Sequence, residues 1–192
     1  DGILDIVFNR PNSRNAITRE MFDIFLNKLQ DCKKESNIRA IFLSGTGDAF
    51  SAGGDVKDMA AKNDNSPLNE KTNSLRRIME ITKLLYDLPI PTVAIVKGPA
   101  AGAAFALALA CDMRIATKEA VFTTAFSKIG FSGDFGGSYF LTKLVGTAKA
   151  KELYYFSEKI DAEKANNLGI INEIHEAADI DEVVKKLKNK FK

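Results

Sequence analysis

Apolar positions along this chain switch repeatedly between a two-residue and a three-to-four-residue period. Ile3-Leu-Asp-Ile-Val-Phe8 predicts a strand, and Asn9-Arg-Pro-Asn-Ser13 a turn in which Pro11 ends any ladder. Thr18 is placed to cap a helix running to about Lys34. Within it Met21, Phe22, Phe25, Leu29 and Cys32 recur at helical spacing. Ile38-Arg-Ala-Ile-Phe-Leu43 predicts a second strand, with Gly45, Gly47 and Asp48 in the loop after it. Asn63-Asp-Asn-Ser-Pro67 reads as a surface loop. Leu75, Ile78, Met79, Ile81, Thr82, Leu85 and Tyr86 outline an amphipathic helix stopped by Pro89 and Pro91.

The β-branched run Thr92-Val-Ala-Ile-Val96 predicts a buried strand, punctuated by Gly98 and Pro99. From Gly102 to Cys111 every residue is small or apolar, the pattern of a helix buried on all sides. Met113–Thr117 and Ala120–Thr124 read as short strands, and 125–137 as an irregular segment rich in glycine and phenylalanine. Thr147 caps a helix to about Phe156. Asp161 caps another, ended by Gly169. Ile170–Ile174 reads as a strand, and Asp181 begins a last, basic helix. Alternating strands and helices with short loops predict one α/β domain over residues 1–192, built from ββα-like units.

Charge narrows the function. Formal net charge is +2, which gives no electrostatic footprint for nucleic acid or an anionic membrane. The lysines between Lys185 and Lys192 form a solvated helix face. The two cysteines, Cys32 and Cys111, fall in apolar helical contexts and read as free buried thiols. One histidine, His175, near a strand end, and no Cys/His cluster argue against a zinc or histidine-based site, so no metal is expected. No apolar run reaches transmembrane length and no signal-peptide pattern is visible; with Asp1 in place of a methionine, a removed leader stays open.

Three loci suit chemistry. The first is Gly98–Asp112. The opening turn of its helix presents N–H groups without internal partners at the positive end of the dipole, and Gly102, Ala103 and Ala104 hold no ligand at a distance. A tightly packed core helix needs the same small residues. The second is Ser51-Ala-Gly-Gly-Asp55, where paired glycines allow close backbone approach, while Asp55 also suits a cap. The third is Gly130-Phe-Ser-Gly-Asp-Phe-Gly-Gly137, in which Asp134 is either a turn residue or a carboxylate bracketed by phenylalanines.

In order and spacing these loci resemble the crotonase, or enoyl-CoA hydratase/isomerase, superfamily. The matching segments are Asn9-Arg-Pro…Asn15-Ala16, Phe50-Ser-Ala-Gly-Gly-Asp-Val-Lys57, Gly98-Pro-Ala-Ala-Gly-Ala103, Cys111-Asp112, Gly136-Gly137 and Ala162–Asn172. The resemblance implies a spiral of ββα turns that binds acyl-CoA thioesters, usually as a homotrimer or dimer of trimers. It places two oxyanion-hole N–H groups on Gly54 and Ala103. It assigns substrate and CoA contacts to Asn15, Ala16, Ala52, Gly54, Asp55, Val56, Lys57, Gly102 and Ala103. The acyl pocket falls to Met59, Phe105, Phe126, Phe131 and Phe135. Lys57 and Arg14 suit CoA phosphates as well as they suit plain surface charge. CoA arrives as part of the substrate, so no separate cofactor is implied. The implied compartment is the cytoplasm, with an organelle matrix as the alternative. The family normally continues past Lys192 into helices that close the pocket and build the trimer.

Departures from the family pattern select the chemistry. The two glutamates of a prototype hydratase fall here on Ala106 and Phe126, neither of which moves a proton. Asp134 resembles the catalytic aspartate of ring-epoxyphenylacetyl-CoA isomerases and dienoyl-CoA isomerases; the former also share the Phe-Ser-Lys-Ile-Gly pattern at 126–130. The resemblance therefore implies an isomerase with Asp134 as acid and base. Alternatives are a decarboxylase, dehalogenase or hydratase of the same family, and a non-catalytic acyl-CoA-binding protein.

Overall fold

The computed structural model describes residues 2–57 and 65–192. Five strands form a fully parallel sheet in the order β1 (Ile3–Phe8), β2 (Ala40–Gly45), β3 (Thr92–Val96), β5 (Met113–Thr117) and β8 (Glu173–His175). A smaller sheet holds β4 (Pro99–Ala101), β6 (Val121–Thr123) and β7 (Ile160–Asp161). Six α-helices complete the described residues: α1 (Arg19–Cys32), α2 (Leu68–Asp87), α3 (Ala103–Ala110), α4 (Gly137–Phe156), α5 (Ala162–Asn167) and α6 (Ile180–Asn189). None is long and apolar enough to cross a membrane.

The ββα repeat is visible in the connections. In β3–β4–α3 and β5–β6–α4, the first strand joins the large sheet, the second the small one, and a helix returns. The parallel bridge Ser51↔Ala100 adds the segment after β2 to the same pattern. Parallel strands buried on both faces need near-continuous apolar sequence, which β2 and β3 supply.

Capping matches the sequence closely. The Thr18 side chain accepts a hydrogen bond from the Met21 N–H, and Asp161 does the same for Lys164. Phe22, Phe25, Leu29 and Cys32 are buried along α1, as their spacing requires. On α2 the buried stripe is Ile78, Ile81, Thr82, Leu84 and Leu85, whereas Tyr86 is exposed. All eight residues of α3 are buried, because it packs against α2, α4 and β4.

The end of α3 is fastened twice. Asp112 accepts from the Thr92 N–H at 2.7 Å and its hydroxyl at 2.8 Å. Arg114, 4% exposed, donates to the carbonyls of Cys111 (2.5 Å) and Ala108 (3.3 Å) on α3 and of Ile170 (2.5 Å) before β8. Its planar fork thus satisfies carbonyls that a helix end leaves open. Both cysteines are free and buried, and burial pushes the Cys111 thiol up to about 12, so it stays protonated and unreactive.

Several elements differ from the expectation; the strand read at Ile170–Ile174 begins only at Glu173, because the Ile170 N–H donates to the Ala165 carbonyl of α5 at 2.8 Å. Pro99–Ala101 is a strand, since its partners lie in β6, far along the sequence. Residues preceding Thr147 are also helical: α4 starts at Gly137 and breaks at Gly146, where φ is 76° and ψ 165°.

Candidate active site

The turn after β1 and the loop after β2 are bound together before any ligand is considered. The Ser51 hydroxyl donates to the Asn15 carbonyl at 2.7 Å and accepts from the Gly53 N–H at 3.1 Å. Ile17 N–H donates to the Gly53 carbonyl (2.8 Å), and Asp55 N–H to the Ile17 carbonyl (3.0 Å). These two bonds straddle Gly54 and leave its own N–H without a protein acceptor among the described residues. Arg10 locks the far side, donating to the Ala16 carbonyl at 2.6 Å and pairing with Asp55 at 2.8 Å.

Gly102 turns the chain from β4 into α3 with φ 53° and ψ −124°. Ala103 is therefore the first residue of the helix, and its N–H has no intrahelical partner. Gly53 lies directly against this turn. A Cβ there would stand 2.6 Å from the Ala101 carbonyl oxygen and 3.5 Å from the Ala103 nitrogen, so glycine is what lets the two segments meet.

Gly54 and Ala103 open on one cavity of about 1020 Å³. Ala52, Asp55, Val56 and Gly102 continue its polar backbone side. Phe22, Leu75, Ile78, Phe126, Phe131 and Phe135 form an apolar wall, and Asp134 lines the same space. A second hollow of about 650 Å³ along β1 and α1 contains none of the candidate site residues.

Asp134 sits in the loop that leads into α4, whose start is marked by the Gly137 N–H donating to the Asp134 carbonyl at 3.2 Å. Its neighbour Phe135 is 2% exposed, has φ of 50°, and stacks on Phe22 at 4.9 Å between ring centres. A left-handed conformation is costly for a phenylalanine, and the buried stack holds it there. The carboxyl that results is in an unusual state. Its Oδ1 is buried with no hydrogen-bond partner among the described residues, and burial raises its pKa from the ordinary 3.8 to about 6. Among the described residues, the cavity's other acid is Asp55, held by Arg10.

This desolvation has a sign that thermodynamics fixes. Below pH 3.8 both folded and unfolded chains hold the proton; from there to about 6 the folded chain keeps a proton the unfolded chain has lost. Stability contributed by Asp134 therefore falls as pH rises through that window and stays lower above it. Asparagine does not ionise. Asp134→Asn is expected to be more stable than the parent at about pH 7.5, by roughly 1 kcal/mol after discounting for partial exposure, and to lose most of that advantage at about pH 4. Paired urea melts at the two pH values check this.

Several candidate residues are placed elsewhere. Phe105 does not line the cavity: it is 2% exposed and packs on Phe122 at 5.4 Å, because two residues along α3 from Ala103 is the opposite face. Asn15 is fully buried and serves the turn, donating to the Thr46 and Ala49 carbonyls and accepting from the Arg10 N–H. Ala16 and exposed Lys57 also lie outside the lining. Met59 lies outside the described residues. His175 pairs with Glu173 at 2.8 Å on β8, away from the cavity. Ala106 is buried in α3 and Phe126 is in the wall, so neither position brings a carboxylate. The Arg10–Asp55 pair escaped the sequence reading, although Arg10 and Asp55 both stand inside the motif segments.

Known proteins supply the context for this geometry. A "Probable enoyl-CoA hydratase" of Rhodobacter capsulatus is 38% identical over 171 residues, covering 89% of this chain and 64% of that protein. The mouse peroxisomal enoyl-CoA delta isomerase 3 is 32% identical over 175 residues, covering 91% of this chain and 54% of that protein. The chain thus spans somewhat more than half the length of these relatives. A crystal structure of a Thermobifida fusca YX protein in complex with acetoacetyl-CoA superposes with a TM-score of 0.91 at 28% identity, covering 98% of this chain and 76% of that one. The Enoyl-CoA hydratase/isomerase family itself matches residues 1–191, so the parallel sheet, the two glycine-flanked N–H groups and the cavity between them are those of a chain that belongs to the enoyl-CoA hydratase/isomerase family.

Proposed function

We propose that this chain is an acyl-CoA isomerase that moves a proton within an unsaturated thioester through a single carboxylate. The observation that carries the reading is Asp134: a half-buried acid, its Oδ1 without a partner among the described residues, in an aromatic-walled cavity that also contains the N–H groups of Gly54 and Ala103. In a 3-enoyl thioester the C2 protons are acidified by the carbonyl and the double bond. The Asp134 carboxylate removes one, and the electron pair delocalises into a dienolate. Negative charge collects on the thioester oxygen, where the two N–H groups meet it; each such donor is typically worth roughly 3–4 kcal/mol of barrier. Asp134, now neutral, returns the proton to C4, and the double bond ends between C2 and C3. Proton and electrons balance within substrate and carboxyl, so the reading requires no cofactor.

A carboxyl that titrates near 6 suits both halves of this cycle, since it is a stronger base than an ordinary aspartate and a usable acid. Hydration needs a second group to activate water, and Ala106 and Phe126 offer none. The same parts would serve ring-opening isomerisation of the epoxyphenylacetyl type, and the aromatic wall suits a flat acyl group. The mouse relative is named as an isomerase and the Thermobifida fusca protein binds acetoacetyl-CoA, which supports the thioester class. Calorimetry with a 3-enoyl-CoA and with its free acid tests the substrate class. The thioester is expected to bind at least about tenfold more tightly; equal affinities would count against it.

A further inference from the structure

The loop that presents Asp134 is shaped around one side chain that no motif singles out. A Cβ at Gly133 would come within 2.9 Å of the Tyr154 ring, and a Cβ at Gly137 would come within 2.4 Å of the Tyr154 hydroxyl. The residue before Asp134 and the residue that receives its carbonyl are thus both glycines, and both touch the same tyrosine. The Gly137 position is also 3.0 Å from the Ala106 Cβ, which puts the phenol oxygen in the neighbourhood of the Ala106 methyl. Tyr154 stacks parallel to Phe126, with ring centres 6.4 Å apart and planes 4° from coplanar. It lies behind the cavity wall, since Phe126 lines the cavity and Tyr154 does not.

The tyrosine is itself held in place. Ser157, three residues on, is fully buried, and its hydroxyl bonds those of Thr124 and Ser127 at 2.8 Å each. The Thr124 hydroxyl also donates to the Leu153 carbonyl at 2.9 Å. The end of α4 is thereby fastened to the Phe126 segment on both sides of Tyr154.

We propose that Tyr154 is the positioning residue of Asp134: its ring carries the glycine loop that presents the carboxyl. The inference rests on the reading of Asp134 as the proton-transfer group. Burial and the Asp134 charge both hold the phenol proton on, so Tyr154 is a neutral O–H dipole throughout the working range. Among the described residues, other charged groups on the surrounding elements are Arg19 of α1, Asp55 of the Gly54 loop, Lys71 of α2 and exposed Lys128; none of them contributes to the raised pKa of Asp134, which comes from burial.

The test measures proton exchange into a 3-enoyl-CoA against pH for the parent chain, Tyr154→Phe, Tyr154→Leu and Asp134→Asn. Tyr154→Phe keeps the ring and is expected to fold as the parent does. Its plateau rate, acidic limb and substrate affinity should match the parent's, because the ring that holds the loop is retained. Tyr154→Leu, which removes the ring, should lower the plateau rate at least about tenfold at unchanged affinity. A full plateau in Tyr154→Leu, or a loss in Tyr154→Phe as large as that in Tyr154→Leu, would overturn the inference. Full exchange in Asp134→Asn would instead overturn the reading beneath it, so the two failures are distinguishable.

Discussion

Replacing Asp134 by asparagine should stop isomerisation while leaving the fold and thioester binding intact. The amide has nearly the shape of the carboxyl, so the Phe22–Phe135 stack and the turn into α4 keep their packing. It cannot accept a proton at neutral pH. A positioned acid–base group typically contributes on the order of 100- to 10,000-fold, and in the proposed cycle Asp134 carries both proton transfers. The rate of 3-enoyl-CoA conversion should therefore fall by at least about 100-fold. Steady-state kinetics beside calorimetry separates this from lost binding. In the parent chain, activity should rise with pH through about 6, as the half-buried carboxyl ionises. A rate that survives in the variant would assign the chemistry to a different base.

The second large effect is expected at Ala103. Proline there deletes the N–H and puts ring carbon where the thioester oxygen would be held. Because Ala103 is the first residue of α3, the helix itself tolerates proline at that place. Loss of one oxyanion donor typically lowers kcat by about 100- to 1,000-fold. Thermal melts and circular dichroism of Ala103→Pro should show a far smaller change than the kinetics. Near-parental activity with α3 intact would mean that the Ala103 N–H does not meet the developing charge.

How much of this was legible in the sequence depended on how local each signal is. Thr18 and Asp161 announced their helices because a cap acts on residues three positions away. The buried character of α3 was legible because every one of its residues is apolar. Gly54, Ala103 and Asp134 were legible through motif order, and they share a cavity because three distant loops converge. The strand β4 was hidden because a three-residue strand containing proline is defined by its partner, not by its own residues. The first half of α4 was hidden by Gly136 and Gly137, which read as loop, although Phe140, Leu141, Leu144 and Val145 carry helical spacing. Phe105 and Asn15 show the reverse error. Asn15 stands in a motif segment and Phe105 just past one, but helix periodicity turns Phe105 away from the cavity, and the amide of Asn15 is spent on backbone groups. Tyr154 gave no signal, since its role is set by glycines some twenty residues earlier in the chain.

The most direct test of the account is the position of the label when a 3-enoyl-CoA is turned over by this chain in deuterated water, read by mass spectrometry and proton NMR. Proton transfer through Asp134 predicts conversion to the conjugated 2-enoyl-CoA with no 3-hydroxyacyl product, and, as the half-exposed carboxyl exchanges its proton with solvent before returning it, deuterium at C4 of the product and at C2 of recovered substrate. A substrate that binds yet emerges unlabelled and unconverted would contradict the account, and so would a product that has gained water across the double bond.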